Sequence, residues 1–271
     1  MLLPETPPSG PAVITPPLPG PRHGSTITCC TLAAGGWNPA AEFCVPRTPH
    51  VYRFSVAQFL PHFPYLASLL APGEIRRGQQ YFREADRQQH LVARAVLRLV
   101  LGKITRVSPR TISFATGLHH KPLLAEPAGL HFSVSYAGSL VLLAVHGSSV
   151  GIDVEAADPE FAYQPLLSQC FSSAESRHIT EATCPATAFF QLWTRKEALA
   201  KATAQGIDQH FARLPALDGA HEPGPGVLAS EQSWRVISFP AAAHCPASLA
   251  YPASPAGQPP LFYDLNEHLL D

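Results

Sequence analysis

The sequence predicts an α+β protein built as two similar halves in a pseudo-two-fold arrangement. Three observations carry that expectation. An order of strand, two helices and strand hairpin occurs twice; long stretches place apolar residues at helical spacing; and 271 residues suffice for one large or two small cores. Order is expected from Val51-Tyr52-Arg53-Phe54-Ser55-Val56, a short alternating strand. Pro72-Gly73-Glu74-Ile75-Arg76-Arg77 opens a helix with proline near its start. Between Asp86 and Leu101, Leu91, Ala95 and Leu99 join Val92, Val96 and Val100 in a broad apolar face, and Gly102 is the expected stop. Phe132 to Tyr136 reads as a strand, Ala137-Gly138-Ser139 as a turn, and Leu140 to His146 as a second strand, apolar throughout. Val150 to Glu155 then starts the second half as a strand, followed by helices over Ser173–Ile179 and Ala188–Ala204. Trp234–Phe239 and Ala247–Tyr251 are the closing strands.

The resulting division is a proline-rich tail over 1–48, a first half over 49–148 and a second half over 149–271. Residues 1–48 hold many prolines and no sustained periodicity. Proline fixes φ and removes a donor, so this segment is expected to be extended or disordered, or to wrap the surface, without a helix or a central strand.

Composition narrows the function classes. The apolar fraction, 46%, is that of a globular protein, whereas 14% charged residues and 29 prolines point to ordered domains joined to a weakly charged segment. A net charge of −1 supplies no global field for nucleic acid or an anionic membrane. The six cysteines form no CxxC pair and no zinc-like Cys/His spacing, so reduced thiols and a cytoplasmic protein are expected. The start, MLLPETPPSG, lacks the basic and apolar regions of a signal peptide, and no apolar run reaches the roughly 18 residues of a spanning helix.

Two patterns carry candidate chemistry. In Gly151-Ile152-Asp153-Val154-Glu155, strand alternation sends Ile152 and Val154 to the core and puts both carboxylates on the opposite face. Paired carboxylates repel unless a cation lies between them, and an all-oxygen set of that kind suits Mg²⁺ with substrate phosphates. Trp193, Glu197 and Lys201 stand at i, i+4 and i+8 of a helix, so Glu197 can complete a three-carboxylate site and Lys201 can meet a phosphate one turn on. Taken alone each has a plainer reading: a solvated strand edge, and the commonest surface helix pair.

Their order adds information. GIDVE, then Phe171-Ser172-Ser173-Ala174-Glu175, then Trp193-Thr194-Arg195-Lys196-Glu197-Ala198-Leu199-Ala200-Lys201 resembles the signature of the Sfp-type 4′-phosphopantetheinyl transferases, G-[IV]-D-x-E, F-[AS]-x-x-E and W-[ST]-x-K-E-[AS]-x-x-K. His120-Lys121-Pro122 resembles the family's G-K-P, Phe132-Ser133-Val134-Ser135-Tyr136-Ala137-Gly138 its F-N-x-S-H-S-G, and Arg87 to Arg94 its arginine-rich helix. The resemblance spans roughly residues 50 to 251. It implies the family's pseudo-two-fold fold and a holo-[acyl-carrier-protein] synthase type of reaction. In that reaction 4′-phosphopantetheine passes from coenzyme A to a serine of an apo acyl- or peptidyl-carrier protein, with Mg²⁺, releasing 3′,5′-ADP.

By position, the resemblance also implies site roles. Asp153, Glu155 and Glu197 would hold Mg²⁺, with Glu197 and Lys201 as catalytic groups. Arg77, Lys121, Pro122, Ser135, Tyr136, Asp153, Glu197 and Lys201 would bind coenzyme A, with Arg77 near its 3′-phosphate. Glu175 has a helix-capping explanation beside any role the motif gives it. The chain departs from the pattern at Tyr136, where the family has His, at His120 for Gly and at Ser133 for Asn. Alternatives are a non-catalytic homologue that binds coenzyme A or carrier protein, another Mg²⁺-dependent enzyme such as a phosphohydrolase, and a scaffold acting through the proline-rich tail. An internal pseudo-dimer suggests a monomer.

Overall fold

A computed structural model of the chain describes residues 25–32, 36–39, 41–126, 129–228, 230, 232–254 and 258–270. The chain enters as β1 (Ile27–Thr31) and β2 (His50–Ser55) and continues through two short helices, α1 (Val56–Phe59) and α2 (Phe63–Ala67). Then come α3 (Pro72–Gln79), the long α4 (Glu84–Thr105), a small hairpin of β3 (Phe114–Thr116) and β4 (Pro122–Leu124), and the hairpin β5 (His131–Ala137) and β6 (Leu140–His146). The second half runs β7 (Gly151–Val154), α5 (Gln164–Cys170), α6 (Ser173–Glu181), α7 (Pro185–Thr203) and β8 (Gly219–His221). It closes with the hairpin β9 (Trp234–Ala242) and β10 (Cys245–Pro252), followed by β11 (Leu261–Asp264).

The two halves share a topology. β2 pairs antiparallel with β6, the second strand of its hairpin, and β7 pairs antiparallel with β10, the second strand of its own. This is the expected α+β fold with two related halves. Each sheet is completed from the other end of the chain. β11 lies parallel to β2 in the order β11-β2-β6-β5, and β1 lies parallel to β9 in the order β7-β10-β9-β1-β8.

Side-chain alternation makes four layers of these parts. On one face of the first sheet Tyr52, Phe54, Leu143 and Val145 pack against Val92, Val96 and Val100 of α4. The opposite face contributes Val51, Leu142 and Ala144 to a core shared with Ile152, Val154, Phe239 and Leu249 of the second sheet. The outer face of the second sheet packs Val236 and Ala250 against Ala198, Leu199 and Ala202 of α7. The layers are therefore helix, sheet, sheet, helix.

Two expectations need correction. Ile27–Thr31 is an inner strand between β9 and β8, so the segment before residue 48 is not an extended tail throughout; residues 1–24 lie outside the described residues. Proline acts only where it stands, and Ser25 to Ala34 contains none. Gly102 does not stop α4, which runs to Thr105 and ends at Arg106 in the left-handed conformation, φ 58°. At Gly102 a Cβ would come within 2.9 Å of the Val107 carbonyl oxygen and 3.0 Å of Pro109 Cγ, so this glycine admits the returning loop.

Two contacts set where α7 lies. At Gly151 a Cβ would collide with the Ala198 carbonyl oxygen and the Ala202 backbone nitrogen, so strand and helix backbones meet here. Second, Lys196 and Glu175 form a buried ion pair at 3.0 Å, 0% and 3% exposed at their side chains. Lys196 also donates to the carbonyls of Ala212 and Leu214, while Glu175 accepts from the backbone N–H groups of Ser172 and Ala216. Ser172 and Glu175 close a reciprocal capping box on α6, which is the plain role available to Glu175.

Gly151→Ala should cost about 1–3 kcal/mol in urea unfolding, the usual range for overpacking against a rigid neighbour; an unchanged midpoint would refute the close approach. Lys196→Met should cost about 3–5 kcal/mol because it strands the Glu175 carboxylate. In a double-mutant cycle, adding Glu175→Gln should restore part of that loss, and simple additivity would show that the pair is not coupled.

Candidate active site between the halves

β7 lies on the edge of its sheet, so one side of its backbone lacks a strand partner. Two hydroxyls from β5 supply it: Ser133 Oγ accepts from the Ile152 N–H at 3.1 Å, and Ser135 Oγ from the Val154 N–H at 3.4 Å. The alternation that sends Ile152 and Val154 into the inter-sheet core turns Gly151, Asp153 and Glu155 toward α7. That face is covered by the helix rather than by water, and Asp153 is only 3% exposed. The solvated-edge reading of GIDVE is thereby excluded.

Lys201 meets Asp153 from α7. Its Nζ donates to Asp153 Oδ1 at 2.6 Å and to Ser135 Oγ at 3.1 Å, and Ser135 donates to the same carboxylate oxygen at 2.8 Å. Asp153 Oδ2 is buried with no hydrogen-bond partner. Burial, then the neighbouring Asp153 charge, pushes the Glu155 carboxyl up to about 7, against the pull of Lys201 and a hydrogen bond from Trp193. Glu197 is also raised, chiefly by burial. One ammonium therefore serves three partly desolvated carboxylates, and the cluster is short of positive charge.

These residues fit a hard divalent cation: the donors are all oxygen, and one buried oxygen is left without a partner. Asp153, Glu155 and Glu197 are not, however, drawn into a set with all ligand atoms within 4.8 Å of one another.

Beside Glu197 and Lys201 opens a cavity of about 450 Å³ between α4 and α7, lined also by Arg77, Lys121, Pro122 and Tyr136. Lys121 gives its protons to carbonyls, of Lys201 at 2.6 Å and Val150 at 3.2 Å, near the C-terminal end of α7. Burial lowers its pKa to about 8. Arg77 donates to Gln80 and stands 6.0 Å from the Tyr81 ring. Tyr136 is exposed at this wall, and its phenol, pushed up by desolvation with Arg94 pulling it down, is a neutral donor.

Ser135 differs from expectation: it does not line this cavity but sits at the carboxylates, with Ser133 on the cavity wall. His90, Arg94 and His119 also line it and were not singled out from the sequence. For Arg94 the arginine-rich stretch 87–94 was the available signal. His90 lies in the same stretch; its Nε2 is buried and unpartnered, and burial with Arg94 and Arg77 nearby lowers its pKa.

Comparison with known proteins agrees with this arrangement. Residues 149–240 match the model of the 4′-phosphopantetheinyl transferase superfamily, and residues 59–148 that of the 4′-phosphopantetheinyl transferase N-terminal domain. A putative 4′-phosphopantetheinyl transferase of Synechocystis is 33% identical over 153 residues, 54% of this chain and 62% of its own length. The 4′-phosphopantetheinyl transferase HetI of Nostoc is 28% identical over 208 residues, 74% of this chain and 86% of the relative. A 4′-phosphopantetheinyl transferase of Bacillus subtilis is 24% identical over 159 residues, covering 54% and 70% respectively. With both halves matched in order, this chain belongs to the 4′-phosphopantetheinyl transferase family.

Proposed function

We propose that the protein transfers the 4′-phosphopantetheine group of coenzyme A to a serine of an apo acyl- or peptidyl-carrier protein, dependent on Mg²⁺ and releasing 3′,5′-ADP. The observation that carries this reading is Lys201, which bonds Asp153 beside Glu155 and, with Glu197, borders a cavity whose walls also carry Arg77, Arg94 and Lys121. Cationic walls suit the phosphates of coenzyme A, and the carboxylates suit the cation that accompanies a pyrophosphate.

Mg²⁺, held by Asp153, Glu155 and Glu197, would supply charge neutralisation at the pyrophosphate. Lys201 adds a second positive charge, its ammonium already beside Asp153. Glu197 borders the cavity and is the candidate base for the carrier serine's proton, directly or through a water held by the metal. As that serine belongs to the partner, this chain needs no nucleophile of its own. Tyr136 offers the phosphates a neutral hydroxyl in place of the imidazole of the family pattern. The division at residues 148 and 149 and a monomeric, cytoplasmic enzyme complete the reading. Among the described residues no helix is long and apolar enough to cross a membrane, and all six cysteines are free.

Incubation with coenzyme A, Mg²⁺ and an apo carrier protein should add the phosphopantetheine mass to the carrier. Asp153→Ala and Glu197→Ala should each lower turnover by about a hundredfold or more with the melting temperature little changed. Near-normal turnover in either variant would refute the assignment. Tyr136→His should lower the KM for coenzyme A with little change in kcat. Binding of coenzyme A without transfer to any of several carriers would favour the non-catalytic alternative.

A further inference from the structure

Away from the cleft, the segment leading into β2 carries a second cluster of ligating groups. Glu42, Cys44 and His50 each offer one ligand atom, and the three atoms lie within 4.8 Å of one another. Among the described residues this is the sole set of three His, Cys, Asp or Glu side chains that meets that spacing. The Cys-x₅-His interval carries no recognisable zinc pattern; folding of the segment back along β2 creates the cluster.

The ligand-bearing backbone is held at several points. The Tyr52 hydroxyl donates to the Glu42 carbonyl at 2.6 Å, and Gly147 N–H donates to the Pro46 carbonyl at 3.2 Å. Thr48 Oγ1 lies 3.0 Å and 2.8 Å from the carbonyls of Gln258 and Pro259, on the approach to β11. His50 is 3% exposed, its ring packed against Tyr52 and Tyr263 and its Nδ1 3.3 Å from the Tyr52 hydroxyl. Tyr263, itself buried, hydrogen-bonds the Glu42 side chain. Glu42 and Cys44 are exposed, which leaves a path from solvent. A buried imidazole, two accessible ligands and phenols bonded to them are the parts of a supported metal site.

We propose that Glu42, Cys44 and His50 bind a borderline-soft divalent cation of the Zn²⁺ class, with water in the fourth position. Thiolate, imidazole and carboxylate together select such an ion over Mg²⁺, which prefers oxygen alone. His50 opens β2 and pairs in register with Leu261 of β11, so the ion fastens the incoming segment to the sheet where the C-terminal strand joins it. The site is separate from the carboxylates of β7 and α7 and shares no residue with them.

Chelator-stripped full-length protein, reduced with a non-thiol reductant, is titrated with Co²⁺ as a spectroscopic stand-in for Zn²⁺. One equivalent should bind with a thiolate-to-cobalt charge-transfer absorption that Zn²⁺ abolishes by displacement. Cys44→Ser, an exposed position, should lose that absorption and weaken Zn²⁺ binding at least about tenfold. Asp153→Ala should keep both. Zn²⁺ should raise the melting temperature of the parent protein but not of Cys44→Ser. Absence of the charge-transfer band, its survival in Cys44→Ser, or a melting temperature indifferent to Zn²⁺ would each overturn the proposal.

Discussion

Gly151 lets the backbone of β7 come against the backbone of α7 at Ala198 and Ala202, and the placement of Asp153 beside Lys201 follows from that contact. A strand held further away would leave the lysine short of the carboxylate. The alanines matter as much as the glycine, since each keeps the facing surface of the helix small. From the far side the buried Lys196–Glu175 pair ties α7 to α6 and to the segment around Ala216. The helix is thus fixed on two sides, and Glu197 and Lys201 project from a part of it with little freedom to shift.

Fixing α7 also fixes an electrostatic imbalance. Burial raises Glu155 and Glu197, and the charge of Asp153 adds to both. Lys201 draws down Glu155 and Glu197 through space but gives its hydrogen bond to Asp153 Oδ1, while Oδ2 stays without a partner. A protein selected for stability alone would gain by replacing such a cluster with apolar residues, because desolvated charges seldom recover their hydration energy. Its retention in a well-packed junction is understandable if another positive charge enters it. Lys121 shows the complementary case. Its ammonium is satisfied by backbone carbonyls, and burial lowers its pKa to about 8.

What could be read from the sequence was what depends on local order. The apolar face of α4, the two hairpins, the alternation in GIDVE and the i, i+4, i+8 row on α7 are all written in short windows, and the structure contains them. The capping box of Glu175 was equally legible, since its partner is three residues away. The pairing of Glu175 with Lys196 was not, because nothing local distinguishes a buried lysine from a surface one. The resemblance places Ser135 among the groups for coenzyme A, and its bond to Asp153, which depends on the approach of β5 to β7, is not written in any short window. Ile27–Thr31 was lost among prolines, although its strand forms only through pairing with residues about 200 positions away. Each miss is a contact between distant segments.

Those distant contacts bear on the cleft itself. A cavity between two halves keeps its shape only if the halves cannot rock, and residues far from the cavity restrain them. β1 and β11 each complete the sheet of the opposite half. Arg53 of β2 pairs with Asp264 of β11 through two hydrogen bonds of 2.8 Å and donates to the Ala241 carbonyl of β9 at 2.6 Å, so one guanidinium spans both sheets. Trp37 lies under it at 4.2 Å and packs against Phe239 and Phe262, one from each sheet. A planar, always charged group with several fixed donors suits that position better than lysine, which lacks the fork needed to hold a carboxylate and a carbonyl together. The same strap of residues that supplies Trp37 carries Glu42 and Cys44 toward His50. An ion there would add to a joint that Arg53 already closes, on the side of the molecule where the two sheets exchange their terminal strands.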